Sequence, residues 1–301
     1  MRLGVFVETS RSKGGASALD AIVTEMRSIA GRGFPSIWSP QIFGFDALTA
    51  ITVAAREVPG VEFGTAVVPI YGRHPMHLFQ QALTTQVVAA GRLTLGIGLS
   101  HQPVVENMWG YSFDKPARFM REYLEVLGAL RTSGAVSVAG ESLKAQGNVP
   151  IPEGFDLPIV VAALGPTMLS IAGRLAEGTV TWMTGPQTVS DHIAPTISKA
   201  AADAGRAAPR VVMALPVAVT DDESAARAKA ATAFQVYGFL PSYRAMLDRE
   251  GASGPADVAI VGTKQHVQDT IRSLEERGAT EFVTVPFDNV EATLDAVAEL
   301  L

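Results

Sequence analysis

The chain has 301 residues, long for one ordinary domain but near the roughly 250 residues typical of an α/β barrel. With 48% apolar and 18% charged residues it can bury a large core, and its net charge of −6 argues against nucleic acid as the main partner. It has no cysteine, which excludes a disulfide framework, a thiol nucleophile and a thiolate metal site.

Leu3–Val7 reads as strand one, entered from Met1 without an apolar run that ends in a cleavage site. No stretch of about 18 or more apolar residues suggests a membrane span, so a soluble cytoplasmic protein is the expectation. Ser17–Gly31 follows as a helix, with Leu19, Ile22, Val23, Met26 and Ile29 on one stripe and glycine at its end. Ser36–Ser39 is strand two and Val61–Val68 strand three. Pro75–Ala90 is a helix opened by proline in its first turn, Leu93–Ile97 is strand four, and Ala117–Leu130 is the next helix. Thr132–Leu157, rich in glycine, proline and small polar residues, reads as an insertion before strand five, Ile159–Ala163. Helix Thr167–Ala176, strand six Thr179–Met183, helix Pro186–Ala204, strand seven Val211–Val219 and helix Asp221–Val236 come next. Phe234–Gly262 is a second long connection before helix Gln265–Arg277, strand eight Glu281–Pro286 and helix Val290–Leu301. Runs such as IVVAA and VVMAL are apolar on both faces, as parallel strands covered by helices must be. Strict alternation implies a parallel sheet, and eight repeats imply a closed (β/α)8 TIM barrel with insertions before strands five and eight. No repeat or linker divides the chain, so residues 1–301 read as a single domain.

In such a barrel the site lies at the C-terminal ends of the strands. Strand one ends on Glu8-Thr9-Ser10, strand two on Trp38 and Gln41, strand three on Tyr71-Gly72-Arg73-His74, and strand four on Gly98-Leu99-Ser100-His101. Trp182 closes strand six. The segment Gly165-Pro166-Thr167 joins strand five to a helix. Its free backbone N–H groups suit a phosphate, or it is an ordinary turn. Val261-Gly262-Thr263 has the same form, although Thr263 can simply cap its helix. Gly96-Ile97-Gly98 is half of a dinucleotide fingerprint without the third glycine. These glycines read instead as room for something flat at the mouth. His192 and His266 read as bystanders near helix starts; His74 and His101 belong near the mouth. Each of the latter either relays protons near neutral pH or only bonds backbone or phosphate. The six lysines, Lys13 among them, fall in loops or helices, which argues against Schiff-base chemistry. Only Glu8 and His101 stand where a metal would want ligands, so no metal is expected and an organic cofactor is the natural source of chemical power.

Several of these segments resemble the luciferase-like monooxygenase superfamily. They are Gly64 to Pro69, Arg73-His74-Pro75, Gly91 to Gly98, Ala117-Arg118-Phe119 through Leu124, and Gly165 to Leu169. Tyr71-Gly72-Arg73-His74-Pro75 is similar to the loop carried after strand three by the branch that uses coenzyme F420. The resemblance implies a homodimeric barrel that moves a hydride to or from the deazaflavin. It also implies a non-prolyl cis peptide at Val67–Val68, whose bulge presses on the ring. The cofactor-binding residues implied or placed at the mouth are Trp38, Gln41, Val67, Val68, His74, Gly98, Ser100, Gly165, Pro166, Thr167 and Trp182; His101 is the favoured acid–base group, with Glu8 beside it. Sugar-phosphate dehydrogenases of this branch carry an acidic residue and a histidine after strand two. Ser39-Pro40-Gln41 stands there instead, and His101 stands in place of their glutamate after strand four. The expected function is an F420-dependent oxidoreductase acting on a small organic substrate. The alternatives are an FMN-dependent monooxygenase on the same barrel and a deazaflavin-binding barrel without turnover.

Overall fold

Eight short strands, apolar on both faces, lie parallel in a closed ring in this computed structural model, which describes residues 1–9 and 16–301. The strands are β1 Arg2–Phe6, β2 Ser36–Ser39, β3 Glu62–Thr65, β4 Leu93–Gly98, β5 Ile159–Val161, β6 Gly178–Trp182, β7 Arg210–Val219 and β8 Glu281–Pro286. Each pairs with the next in the chain, and β8 pairs with both β7 and β1, so the ring has no edge. Alternate residues divide between two cores, as the two-residue period of a strand demands. On β7, Val211, Met213, Leu215 and Val217 pack outward against helices, whereas Val212 and Ala214 join Trp38, Val160, Val180 and Val283 inside the barrel. Ser10 and Lys13 lie outside the described residues. Among those described, no helix is long and apolar enough to cross a membrane.

The barrel's N-terminal end is filled by charge. Arg210, first residue of β7, donates to Glu62 Oε1 at 2.9 Å, to Glu281 Oε2 at 2.7 Å and to Thr94 Oγ1 at 3.0 Å. The other Glu281 oxygen accepts from Trp38 Nε1 at 2.8 Å and from Ser36 Oγ. Arg2 donates to Glu62 from the rim at 2.7 Å. Burial by itself would raise the Glu62 carboxyl, but Arg210 and the hydrogen bonds from Arg2 and Thr94 hold it below 4.5.

Strand three is broken rather than continuous from Val61 to Val68. Pairing stops at Thr65 and resumes at Val68, opposite Ile97, so Ala66 and Val67 form the bulge. The non-prolyl cis bond is therefore Ala66–Val67, one bond earlier than Val67–Val68, because Val68 is already back in the ladder. Gly96 and Gly98 serve this bulge. A Cβ on Gly96 would collide with the Thr65 carbonyl, and one on Gly98 would stand 2.6 Å from Val67 Cγ2. Their bareness makes room for the Thr65 carbonyl and the Val67 side chain, where the sequence suggested space for a flat ligand.

A helix absent from the sequence reading, Ala47–Glu57, joins β2 to β3. Its Thr49, Ile51, Thr52 and Val53 have strand-like chemistry, but Asp46 caps it through Thr49 N, and Leu48, Ile51, Ala54 and Ala55 bury one stripe. The first insertion is an antiparallel hairpin, Ala135–Ala139 with Lys144–Asn148, whose turn donates three backbone N–H groups to the buried Glu122 carboxylate. The second contains helix Pro241–Glu250 and a short strand, Ile260–Gly262, that pairs with the C-terminal half of β7.

Replacing Arg210 by methionine strands the Glu281 carboxylate, only 1% exposed, inside the barrel. Urea unfolding at pH 7 should show a loss of about 3 kcal/mol. In the wild type, depressed carboxyls such as Glu62 contribute stability that is present above 4.5 and lost as pH falls below it. Arg210→Met removes the guanidinium that holds the Glu62 carboxyl down, so the gap between the two proteins should narrow as pH falls below 4.5.

Candidate active site

The C-terminal mouth of the barrel is walled by aromatic rings drawn from four places in the chain. Phe6, the last residue of β1, stacks with Trp182, the last of β6, at 6.4 Å between centroids and 12° between planes. Trp182 meets Phe234 and Tyr237 edge-on, each at 5.7 Å. Tyr237 meets Tyr243 at 5.1 Å, and Tyr243 lies 5.7 Å from the His101 ring. Perpendicular packing of this kind sets the positive edge of one ring against the negative face of its neighbour. An arc thus runs from β1 through β6 and the β7–β8 connection to the loop after β4. Val67 and Ala162 join Phe6 and Trp182 at the top of the inner apolar cluster.

Two groups in this arc have unusual surroundings. Trp182 Nε1 is buried and makes no hydrogen bond of good geometry; the Tyr237 hydroxyl is the group it approaches. His101 follows Ser100, which takes a left-handed conformation (φ 61°) that turns the chain sharply off β4. The His101 carbonyl then accepts from Val104 N and Val105 N, both at 2.9 Å, which starts a short helical turn. Burial lowers the His101 imidazole below 6.5, so the ring is neutral at pH 7. Burial raises the Tyr237 phenol, and the Glu8 carboxylate nearby adds to that rise.

The structure brings His101, Glu8, Trp182, Ser100 and Val67 to the mouth and directs other candidates elsewhere. Trp38 is fully buried inside the barrel, with its N–H committed to Glu281; it floors the mouth instead of lining it. Gln41 Oε1 accepts from Ala47 N at 2.7 Å, serving the start of the unforeseen helix. Val68 is fully buried in the outer core, because strand alternation puts it on the face opposite Val67. Gly98 backs the bulge and accepts from Ile70 N through its carbonyl at 2.9 Å. His74 caps helix Pro75–Val88 by accepting weakly from Met76 N through Nδ1, and its Nε2 meets the Lys144 carbonyl at 3.0 Å. Both of its nitrogens therefore face backbone.

Three helix starts at this end differ in what satisfies them. Thr263 Oγ1 accepts from His266 N, so that start closes itself. The start at Pro186 is closed by Glu250, which accepts from Gln187 N at 3.0 Å and Thr188 N at 2.7 Å. The start at Gly165-Pro166-Thr167 has no side-chain cap. Its preceding loop is held by His192, whose Nε2 donates to Leu164 O at 2.8 Å. His192 is thus no bystander: it is buried and anchors this loop, a role invisible in a helix sequence because its partner is 28 residues away. The aromatic residues of the β7–β8 connection were also missed as site residues. Phe234, Tyr237, Phe239 and Tyr243 fall within ten positions, and that density was the available signal.

An arc of aromatic rings ending on a neutral histidine thus stands at the C-terminal end of a closed barrel. The chain belongs to the luciferase-like monooxygenase family, whose model matches residues 1–281. It is 27% identical over 236 residues to a 5,10-methylenetetrahydromethanopterin reductase of Methanolobus tindarius, covering 77% of this chain and 71% of that protein. An F420-dependent secondary alcohol dehydrogenase, solved with an F420–acetone adduct, superposes with a TM-score of 0.83 at 16% identity, covering 100% of this chain and 98% of that one. An FMN-bound type II Baeyer–Villiger monooxygenase of Pseudomonas putida superposes with a TM-score of 0.79, also at 16% identity, covering 99% and 97%. At these identities the two structures establish the fold.

The burial of His101 has a direct spectroscopic consequence. In protein labelled at histidine carbons, the NMR titration of His101 should have its midpoint below 6.5. A midpoint at or above 6.5 would contradict the environment described here.

Proposed function

We propose that this enzyme is an F420-dependent oxidoreductase that moves a hydride between the deazaflavin and a small organic substrate. The observation that carries this reading is the strand-three break, which sets Val67 into an aromatic mouth with neutral His101 and Glu8 beside it. The residues fit such a group: Trp182 Nε1 is a buried donor without a good partner, and the walls are apolar and ring-shaped. Val67, Trp182 and Ser100 would hold the ring system, and the uncapped N–H groups at Gly165–Thr167 would take its phosphate. Bound there, the deazaflavin supplies or accepts the hydride. His101 takes the proton that an oxidised substrate loses, or returns it in the reverse direction, because a neutral imidazole can serve as base near pH 7. Glu8 stands within electrostatic reach of Tyr237 and helps to set the polarity of the mouth. The aromatic walls exclude water from the reacting atoms. We assign the protein a homodimeric state on the family resemblance. FMN is the second reading, because a barrel of the same fold is bound to it in the Pseudomonas monooxygenase.

Fluorescence titration of both cofactors separates the readings, with F420 expected to bind and FMN to bind more weakly. Micromolar binding of FMN with none of F420 would reverse the order. Tight F420 binding with no turnover on a broad substrate panel would indicate a binding protein. With a substrate in hand, His101→Ala should lower turnover by about two orders of magnitude and leave cofactor affinity nearly unchanged. Full turnover in His101→Ala with none in Glu8→Gln would move the acid–base role to the carboxylate.

A further inference from the structure

We propose that Tyr237 and Tyr243 bind the substrate, donating hydrogen bonds from their hydroxyls to the oxygen of an uncharged carbonyl or hydroxyl compound. This deepens the function proposed above and rests on it for the identity of the reaction. The two rings are the middle of the arc that joins His101 to Trp182, so a molecule placed within reach of His101 meets them. The Tyr237 hydroxyl meets only the Trp182 N–H, which leaves its own proton unused, and no hydrogen bond to a described residue engages the Tyr243 hydroxyl; both side chains are partly exposed. The Tyr123 hydroxyl, by contrast, donates to Arg73 O at 3.0 Å. A phenol that is packed on its ring and whose O–H proton is unused is a donor waiting for a ligand. Burial raises both phenols above their ordinary value, so they are protonated donors at any working pH.

The tyrosines are fixed in place. Glu250, at the end of the helix that carries Tyr243, clamps two backbone N–H groups at the start of the next helix over. Strand Ile260–Gly262 then returns the connection to β7. Charge supplies the second half of the argument. Several described cations are paired elsewhere: Arg73 with Asp46 and Gln81, Arg244 with Asp248 and the carbonyls of Ala252 and Ser253. Lys229 pairs with Asp288. Glu8 places negative charge by Tyr237, which disfavours a carboxylate or phosphate in this position. Aromatic faces, two neutral donors and a nearby carboxylate together select a neutral, ring-sized or alkyl molecule with one oxygen acceptor.

The test uses full-length protein, with and without F420, and a matched pair of probes: acetophenone, neutral, and benzoate, its anionic counterpart. Binding is followed by ligand-observed NMR in wild type, Tyr237→Phe and Tyr243→Phe, which keep the rings and delete only the hydroxyls. Saturable acetophenone binding is expected, at least tenfold tighter than benzoate, and each Phe variant should weaken it about fivefold, the value of one neutral hydrogen bond. Ethylbenzene, which lacks the acceptor, should bind all three proteins alike. The inference is overturned by benzoate binding as tightly as acetophenone, by Phe variants that bind acetophenone unchanged, or by no saturable acetophenone binding at all. Failure of F420 to bind while the tyrosine effects persist would sink the proposed function alone. Normal F420 binding without the tyrosine effects would sink this inference alone.

Discussion

A barrel of eight short strands has to fill its own interior, and here the filling begins with one guanidinium. Arg210 joins β7 to β3, β4 and β8 through Glu62, Thr94 and Glu281, and Glu281 extends the network to β2 through Ser36 and Trp38. Five of the eight strands meet in that polar knot. Desolvating these charges is costly, and their mutual geometry offsets the cost; what they add is register, since a slip of one residue would separate the partners. The knot also holds the Trp38 indole, which fills the middle of the barrel so closely that Gly64 beside it can carry no side chain. Everything at the mouth stands on that floor.

Above the floor the decisive feature is the interruption of β3. Thr65 turns its hydroxyl to Gly96, accepting from its N–H and donating to its carbonyl, where a strand residue would have offered backbone. The ladder resumes three residues later, at Val68, and Val67 is left facing inward. This arrangement requires glycine at 96 and 98 for the bulge itself. A Gly-x-Gly pattern after a strand invites a nucleotide reading, yet the space it frees is taken by protein.

The two insertions serve opposite ends of the same purpose. The hairpin after the fourth barrel helix is pinned by Glu122 and by His74, which makes His74 a brace for the loop after β3. The β7–β8 connection brings its tyrosines over the mouth and is pinned by Glu250 and by a short strand. Rigid anchoring at both sides of an aromatic pocket pre-organises it, so less ordering is required when a ligand arrives.

The alternation of apolar runs with helical stretches determined the barrel, its eight strands and the place of both insertions, because a strand buried on two faces and a helix striped on one leave different periods in the chain. It also placed Glu8, His101 and Trp182 at strand ends. Helix Ala47–Glu57 stayed hidden because its β-branched residues mimic a strand, and only packing of its apolar stripe against the barrel decided otherwise. Tertiary structure alone sent Trp38 into the interior and Val68 outward, gave Gln41 and His74 to backbone groups, and made His192 an anchor. It alone set Tyr237 and Tyr243 between His101 and Trp182. Those roles depend on partners far apart in the chain, and distance along the sequence carries no record of which side chains the closed ring will bring face to face.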